Sequence, residues 1–170
     1  TIGVNNVAIG EDALNTNTEG DHNIAVGKEA LEDNTNGYYN IAIGYRALER
    51  NTTGVHNTAV GIYSGITITT GSENTFLGAN SDAASVNISN STAIGSDAVV
   101  DVSNKIRLGN NAVSIIEGGV GFTMSSDRRL KQEIKSTKYG LDEVLKLEPV
   151  DYVLKSNGLE QIGFIAQDVK

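Results

Sequence analysis

The sequence contains no cysteine and no tryptophan, and only one proline and three phenylalanines among its 170 residues. Without cysteine the chain cannot form disulfides or thiolate metal sites, although this leaves the redox compartment open. No apolar run approaches the roughly 20 residues that a membrane helix needs, so we expect no membrane span. With so few large side chains, any hydrophobic core must be built mainly from small aliphatic residues.

Basic residues are scarce in the first part of the chain. Residues 1–124 carry 13 acidic and 5 basic residues, a net charge of −8, whereas residues 125–170 carry 8 of each and are neutral. An acidic segment binds phosphate backbones poorly, so we expect no nucleic-acid partner. Five basic residues lie close together in the neutral part: Arg128, Arg129, Lys131, Lys135 and Lys138. Such a run is more often a solvated helix face than a nucleic-acid patch.

Glycine and asparagine, in contrast, are abundant and regularly spaced. The repeated unit reads G-x-x-N-x-A-[IV]-G-x-x-A-L-x-x-N-T-x, and its clearest copies are GDHNIAVGKEALEDNTN and GYYNIAIGYRALERNTT. One glycine recurs every 17 residues, at Gly10, Gly27, Gly44, Gly61, Gly78 and Gly95. A fixed period of this length is typical of a repeat architecture, in which each unit stacks on its neighbours.

The repeat predicts a β-solenoid or β-roll over residues 1–100. Each unit has a three-residue strand core, as in NIAIG, between turn-forming residues, and the EALE segments are too short to sustain a helix. Small alanines suit a narrow interior, and glycines at two places in each unit predict positive φ at two corners. The repeated Asn of the G-x-x-N segment predicts a ladder of side-chain amides from coil to coil; its members are Asn6, Asn23, Asn40, Asn57 and Asn74.

A leucine stripe also follows the 17-residue period, at Leu14, Leu31 and Leu48. We interpret it as an apolar stripe on the outside of a thin roll, which association would bury. Three chains around an axis would cover such a stripe, so the sequence predicts a homotrimer.

The segments NVAIGEDAL, NTAVG and STAIGSDAVV resemble the head repeats of trimeric autotransporter adhesins and repeats of phage and giant-virus tail fibres. That resemblance covers about residues 1–100. It implies parallel trimers of left-handed β-rolls, although the adhesin period is shorter than 17. Degraded copies toward residue 100, with Gly65 for Leu and Phe76 for Ala, are expected where a solenoid is capped.

The sequence pattern changes after the repeats. Residues 101–124 alternate apolar residues with Gly and Asn turns and are predicted to be a β connector of short strands. From residue 125 onward we predict a small, incomplete α+β domain. Its elements are a short helix over Arg129 to Ile134, a helix ending before Pro149, and a hairpin of VDYVLK and LEQIGFIAQDV around Ser156, Asn157 and Gly158.

The junction SSDRRLK, residues 125–131, has two interpretations. It can be a capped, solvated basic helix, or a serine and a lysine placed to cut the chain, since a neighbouring base can activate a serine hydroxyl. The ordered segments SDRRLKQEI, GLDEVLKLEPVDY and GFIAQDV resemble the start of the intramolecular chaperone domain of tail spikes and tail fibres, the endosialidase-type chaperone, also classed as a self-cleaving peptidase. In that family the domain continues into long helices, so we expect it to extend past Lys170.

The resemblance implies a specific cleavage site. Residue by residue, Ser126 would be the nucleophile and Lys131 the base, while Asp127 and Arg129 occupy supporting positions of the motif. The scissile bond would be Ser125–Ser126. The family resemblance therefore implies an extracellular fibre, on a virion tail or a bacterial surface, whose chaperone assists trimer folding and then cuts itself off.

Two other functions remain open: a non-cleaving adhesin fibre with a vestigial chaperone, and part of a polysaccharide-degrading tail spike. Glycoside hydrolysis needs two converging carboxylates, and the acidic residues here occupy variable repeat positions. For contact with a cell-surface glycan or protein receptor we consider four tyrosines, which could equally pack at a trimer surface: Tyr38, Tyr39, Tyr45 and Tyr63.

His22 and His56 share one repeat position and lie two coils apart. A threefold ring of either could hold a metal ion, but a polar ladder along the solenoid is the simpler interpretation. We therefore expect neither a metal nor any other cofactor.

Overall fold

The computed structural model describes residues 3–117, 150–153 and 160–163. Within these ranges the chain is mainly β, with eleven short strands and no helix. It divides into two units, Thr1–Val113 and Ser114–Lys170. Among the described residues, no helix has the length and apolar character that a membrane crossing requires.

Seven strands of the first unit form one parallel sheet. In spatial order they are β1 (Val7–Ile9), β2 (Ile24–Val26), β3 (Ile41–Ile43), β4 (Thr58–Val60), β5 (Thr75–Leu77), β7 (Thr92–Ile94) and β9 (Ile106–Leu108). A second parallel pair joins β6 (Asp82–Ala83) to β8 (Val99–Val100). Each strand pairs with its equivalent in the next coil, so the predicted β-solenoid is confirmed.

The sheet register follows the sequence period. Ala25 pairs with Ala42, 17 residues on, and the same offset holds from β1 to β7. The last step is shorter, because Ala93 of β7 pairs with Arg107 of β9, 14 residues on. The predicted connector over 101–124 therefore contributes a seventh strand to the same sheet.

The predicted asparagine ladder runs through the interior. The Oδ1 of Asn40 accepts the backbone N–H of Asn57 at 3.0 Å, and the Nδ2 of Asn40 donates to the Gly54 carbonyl at 2.8 Å. Equivalent bonds recur along the column, whose members are Asn6, Asn23, Asn40, Asn57 and Asn74. The ladder satisfies buried backbone groups at a corner where the chain does not pair as a strand.

A second amide column ends inside the core. The Nδ2 of Asn34 donates to Oδ1 of Asn17 at 2.7 Å, and the Nδ2 of Asn51 donates to Oδ1 of Asn34 at 3.0 Å. The next residue in this column is Ile68, whose side chain has no donor. Consequently the buried Oδ1 of Asn51 has no hydrogen-bond partner. The column gives way to aliphatic packing at this coil.

The leucine stripe was placed wrongly. Leu31 and Leu48 are fully buried in the core of their own chain, and Leu14 packs against that core. Leu31 has φ 50° and Leu48 has φ 49°, so the chain turns sharply at each leucine. As a result Leu31 and the preceding Ala30 are both buried, although adjacent residues of a strand would face opposite sides. These leucines fill the coil and are not a surface for association.

The prediction of positive φ was right for one glycine series only. Gly27 and its equivalents adopt positive φ, 135° at Gly27 itself, whereas Gly37 and its equivalents do not. Gly37 is required for space, since a Cβ there would overlap the Gly54 carbonyl oxygen and the Asn34 side chain. The second corner thus needs glycine because successive coils approach closely.

Gly65 and Phe76 compensate for one another. Gly65 occupies the leucine position with φ 66°, and Phe76 replaces the buried strand alanine. A Cβ on Gly65 would lie 2.8 Å from the Phe76 ring and 2.9 Å from a methyl of Leu48. The ring of Phe76 therefore occupies the space that the leucine side chain fills in earlier coils.

In the second unit the structure describes one antiparallel pair, β10 (Val150–Val153) with β11 (Glu160–Gly163). This confirms the pairing of the predicted hairpin. Its turn and both predicted helices lie outside the described residues.

Candidate functional site

The seven-stranded sheet presents an outer face along the solenoid. Because side chains alternate along a strand, the central residue points into the coil and its two neighbours point outward. From β2 to β5 and in β7 the central residue is buried. The first outward row is Val7, Ile24, Ile41, Thr58, Thr75, Thr92 and Ile106. The second outward row is Ile9, Val26, Ile43, Val60, Leu77, Ile94 and Leu108.

These two rows, which we call the outer face, carry no charged side chain. The second row is aliphatic at all seven levels, and the first row changes to threonine in β4, β5 and β7. Ile9 is 60% exposed at one end of the second row, and Ile106 is 71% exposed in the first. The outer face is thus an apolar strip that the isolated chain leaves in contact with solvent.

An aromatic column occupies a different corner. The ring of Tyr39 stacks between His22, at 4.8 Å between centroids, and His56, at 5.3 Å. Tyr38 packs edge-on against both Tyr39 and His56. Both tyrosines are exposed. The two histidines thus belong to one column of stacked rings along the solenoid, in which the face of each imidazole contacts Tyr39.

The other two tyrosines considered for adhesion lie apart from this column. Tyr45 and Tyr63 are half-buried, with ring centroids 5.2 Å apart in an edge-on arrangement. The Arg46 guanidinium lies 5.4 Å above the Tyr45 ring. These two tyrosines pack against each other and offer less exposed surface than Tyr38 and Tyr39.

Three carboxylates also meet on the turn side of the coils. Glu29, Glu32 and Glu49 place one oxygen each within 4.8 Å of one another. Arg46 bonds to Glu29 and lowers the pKa of that carboxyl, whereas burial raises the pKa of Glu32. Lys28 lies 3.5 Å from Glu29, and Arg46 lies 3.5 Å from Glu49. The two cations therefore neutralise part of this negative charge, and the Arg46–Glu29 bond links successive coils.

The residues implied for self-cleavage, Ser125, Ser126, Asp127, Arg129 and Lys131, all lie outside the described residues. Their assignment therefore stays a prediction from the sequence.

The outer face was not predicted from the sequence. Its signal was present, because the pattern [IV]-A-[IV] places alanine on one side of a strand and two aliphatic residues on the other.

The comparison with protein families bears on this C-terminal part. Residues 126–170 match the Peptidase S74 family model, described as "Chaperone of endosialidase". None of the curated proteins is similar enough to be matched with the chain. The family match and the β-solenoid together fit a tail-fibre-type protein with a chaperone domain. They support a trimeric, fibre-associated chaperone role.

Proposed function

We propose that this chain is part of a trimeric extracellular fibre whose C-terminal chaperone assists trimer folding and is then released by cleavage before Ser126. We assign residues 1–100 to the fibre, 101–124 to a connector and 125–170 to the chaperone. The observation that carries the proposal is the family match over residues 126–170, which follows a parallel β-solenoid. The match begins at Ser126, the first residue of the proposed released fragment.

The proposed cleavage is a single turnover on the chain's own backbone. The Oγ of Ser126 attacks the carbonyl carbon of Ser125, and Lys131 accepts the hydroxyl proton. Lys131 then delivers that proton to the departing amide nitrogen, which leaves an ester between Ser125 and the Ser126 oxygen. Water hydrolyses the ester, so that one fragment ends in the Ser125 carboxylate and the other begins with the free amine of Ser126.

A lysine can act as a base at neutral pH if desolvation or neighbouring positive charge lowers its pKa. Arg129 and Lys135 provide such charge close to Lys131 in the sequence. Asp127 and Arg129 take supporting roles in the proposal, because they match the family motif and flank the nucleophile. No metal or cofactor enters this chemistry.

Release of the chaperone would make the fibre kinetically stable. Once the fragment that assisted assembly has left, an unfolded fibre cannot regain it, so unfolding becomes irreversible in practice. The location that fits this function is a virion tail or a bacterial surface, with a cell-surface glycan or protein as the receptor. The exposed Tyr38 and Tyr39 are the side chains that best support a receptor contact.

The test uses the full-length, untruncated protein. We expect Ser126→Ala and Lys131→Ala each to give an uncleaved chain that still assembles as a trimer. Arg128→Ala is the matched control, because the family motif leaves that position free, and it should cleave like the wild type. The measurement is the intact mass of the denatured chain after purification, with native mass for the assembly. A Ser126→Ala protein still cut before residue 126 would refute the proposed site.

A further inference from the structure

We propose that the outer face is the surface through which three copies of this chain pack around an axis parallel to the solenoid. The proposal rests on the trimeric fibre proposed above and names the contact that holds it together. It replaces the leucine stripe, which is already buried within each chain.

The first argument is composition. Of the fourteen outward positions on the seven paired strands, eleven are aliphatic and three are threonine. The chain nevertheless has a net charge of −8, and charged residues follow the first two strands after a single glycine, as Glu11, Asp12, Lys28 and Glu29 show. A face without charge beside charged turns is the composition expected at the core of an interface between copies.

The second argument is area. The eight exposed aliphatic residues of the outer face are Val7, Ile9, Ile24, Ile43, Leu77, Ile94, Ile106 and Leu108. Together they expose roughly 700 Å², more than the largest apolar patch of a typical monomer at about 300–600 Å². A specific interface buries about 800 Å² on each partner. The outer face therefore has the size of an interface and exceeds that of an incidental patch.

The third argument identifies the occupant as a second copy of the same chain. Every copy presents its rows at the same coil spacing of about 4.8 Å, and rotation about an axis along the solenoid keeps each level opposite its equivalent. A partner with another repeat length would lose this match within a few coils. In a cyclic trimer the contact is heterologous, so the second row of one copy faces the first row of the next. The smaller threonines at Thr58, Thr75 and Thr92 then lie opposite aliphatic side chains.

The experiment compares two substitutions in the full-length protein. Ile43 lies in the second row, and Ile43→Glu should shift the assembly from trimer to monomer at micromolar concentration with its circular dichroism unchanged. Ile62 is 53% exposed and lies in a turn outside the outer face, at the repeat position of Lys28. Ile62→Glu is the matched control and should remain a trimer. Sedimentation equilibrium gives the mass of each.

Cross-linking keeps the proposal testable if Ile43→Glu fails to fold. Residues 1–170 contain no cysteine, so Val60→Cys introduces the one thiol in this part of the chain, on the outer face. A short bis-maleimide should link two of the three chains of Val60→Cys, while Ile62→Cys stays unlinked on a denaturing gel. An Ile43→Glu protein that remains trimeric, or equal linking of both cysteine variants, would overturn the proposed face. A wild-type monomer would instead refute the trimeric fibre itself, and binding of the wild-type monomer to anionic lipid vesicles would identify a membrane as the occupant.

Discussion

Removal of a single amide from the buried ladder should destabilise the solenoid strongly. Asn40 is fully buried, and its Oδ1 is the acceptor for the backbone N–H of Asn57. Asn40→Ala leaves that N–H buried without a partner, at a cost of about 1–3 kcal/mol. The Nδ2 bonds to Gly54 and Asn23 are also lost, at about 0.5–1.5 kcal/mol each. Both of those acceptors keep another donor, Asn51 Nδ2 for Gly54 and the residue 40 N–H for Asn23.

The expected loss is therefore about 4 kcal/mol per chain, a large part of the roughly 5–15 kcal/mol that holds a domain folded. Denaturation in guanidinium chloride measures the total, and hydrogen exchange of the Asn57 amide locates it. Asn36→Ala is the matched control, because Asn36 is exposed and bonds only outside the core, to Glu19. It should change stability by less than about 0.5 kcal/mol.

The reasoning would be wrong if Asn40→Ala and Asn36→Ala had the same unfolding midpoint. It would also be wrong if the Asn57 amide exchanged no faster in Asn40→Ala than in the wild type, because that amide would then have found another acceptor. Since each coil contacts only its neighbours, protection in distant coils should change less than protection at Asn57.

Two further predictions concern the coils near the end of the repeat. Gly65→Leu should overpack the coil, and Phe76→Ala should leave a cavity that costs about 3–5 kcal/mol. In denaturation experiments the double variant should nevertheless be more stable than either single variant. Strictly additive losses of stability would contradict the compensation. Burial raises the pKa of Asp82 above its ordinary 3.8, so stability should fall as the pH rises from that value through the folded pKa. Asp82→Asn should remove this fall in urea midpoints, and an unchanged pH profile would contradict it.

The fold was predictable because the repeat length in the sequence equals the number of residues in one coil of a solenoid. Residues that recur every 17 positions, such as Ala25 and Ala42, are the residues that pair across the sheet. A repeated buried amide such as Asn40 leads to a ladder, because an unpaired amide inside a coil is costly. Period and polarity were therefore sufficient for the strands, their register and the main ladder.

The direction of the leucines was not predictable in the same way. Leu31 lies inside because it adopts φ 50°, a conformation that leucine rarely takes and that no residue in its unit signals. Because the leucines were assigned to the outer surface, the aliphatic residues on either side of each strand alanine were not recognised as an apolar face. Likewise, Gly65 and Phe76 looked like degraded repeat positions, since their contact depends on how one coil lies on the next.

The cleavage site was predicted by a different kind of signal. Ser126 and Lys131 are ordinary residues by composition and spacing, and an N-cap beside a basic helix would have the same local pattern. Only the order of three motifs indicated the family, and the family match over residues 126–170 now supports that indication. The chemistry at the junction remains to be tested by the Ser126 and Lys131 variants.

The outer face gives a physical reason for a chaperone next to such a solenoid. A folded but unassembled chain would expose an apolar strip to other chains. Such exposure promotes aggregation while the three chains of the proposed trimer find the correct register. A slip by one coil would still pair aliphatic residues with aliphatic residues, so the repeat itself opposes misalignment only weakly. We therefore infer that the domain beyond residue 125 acts on register: by bringing three chains together at one end, it would align their coils before the outer faces close.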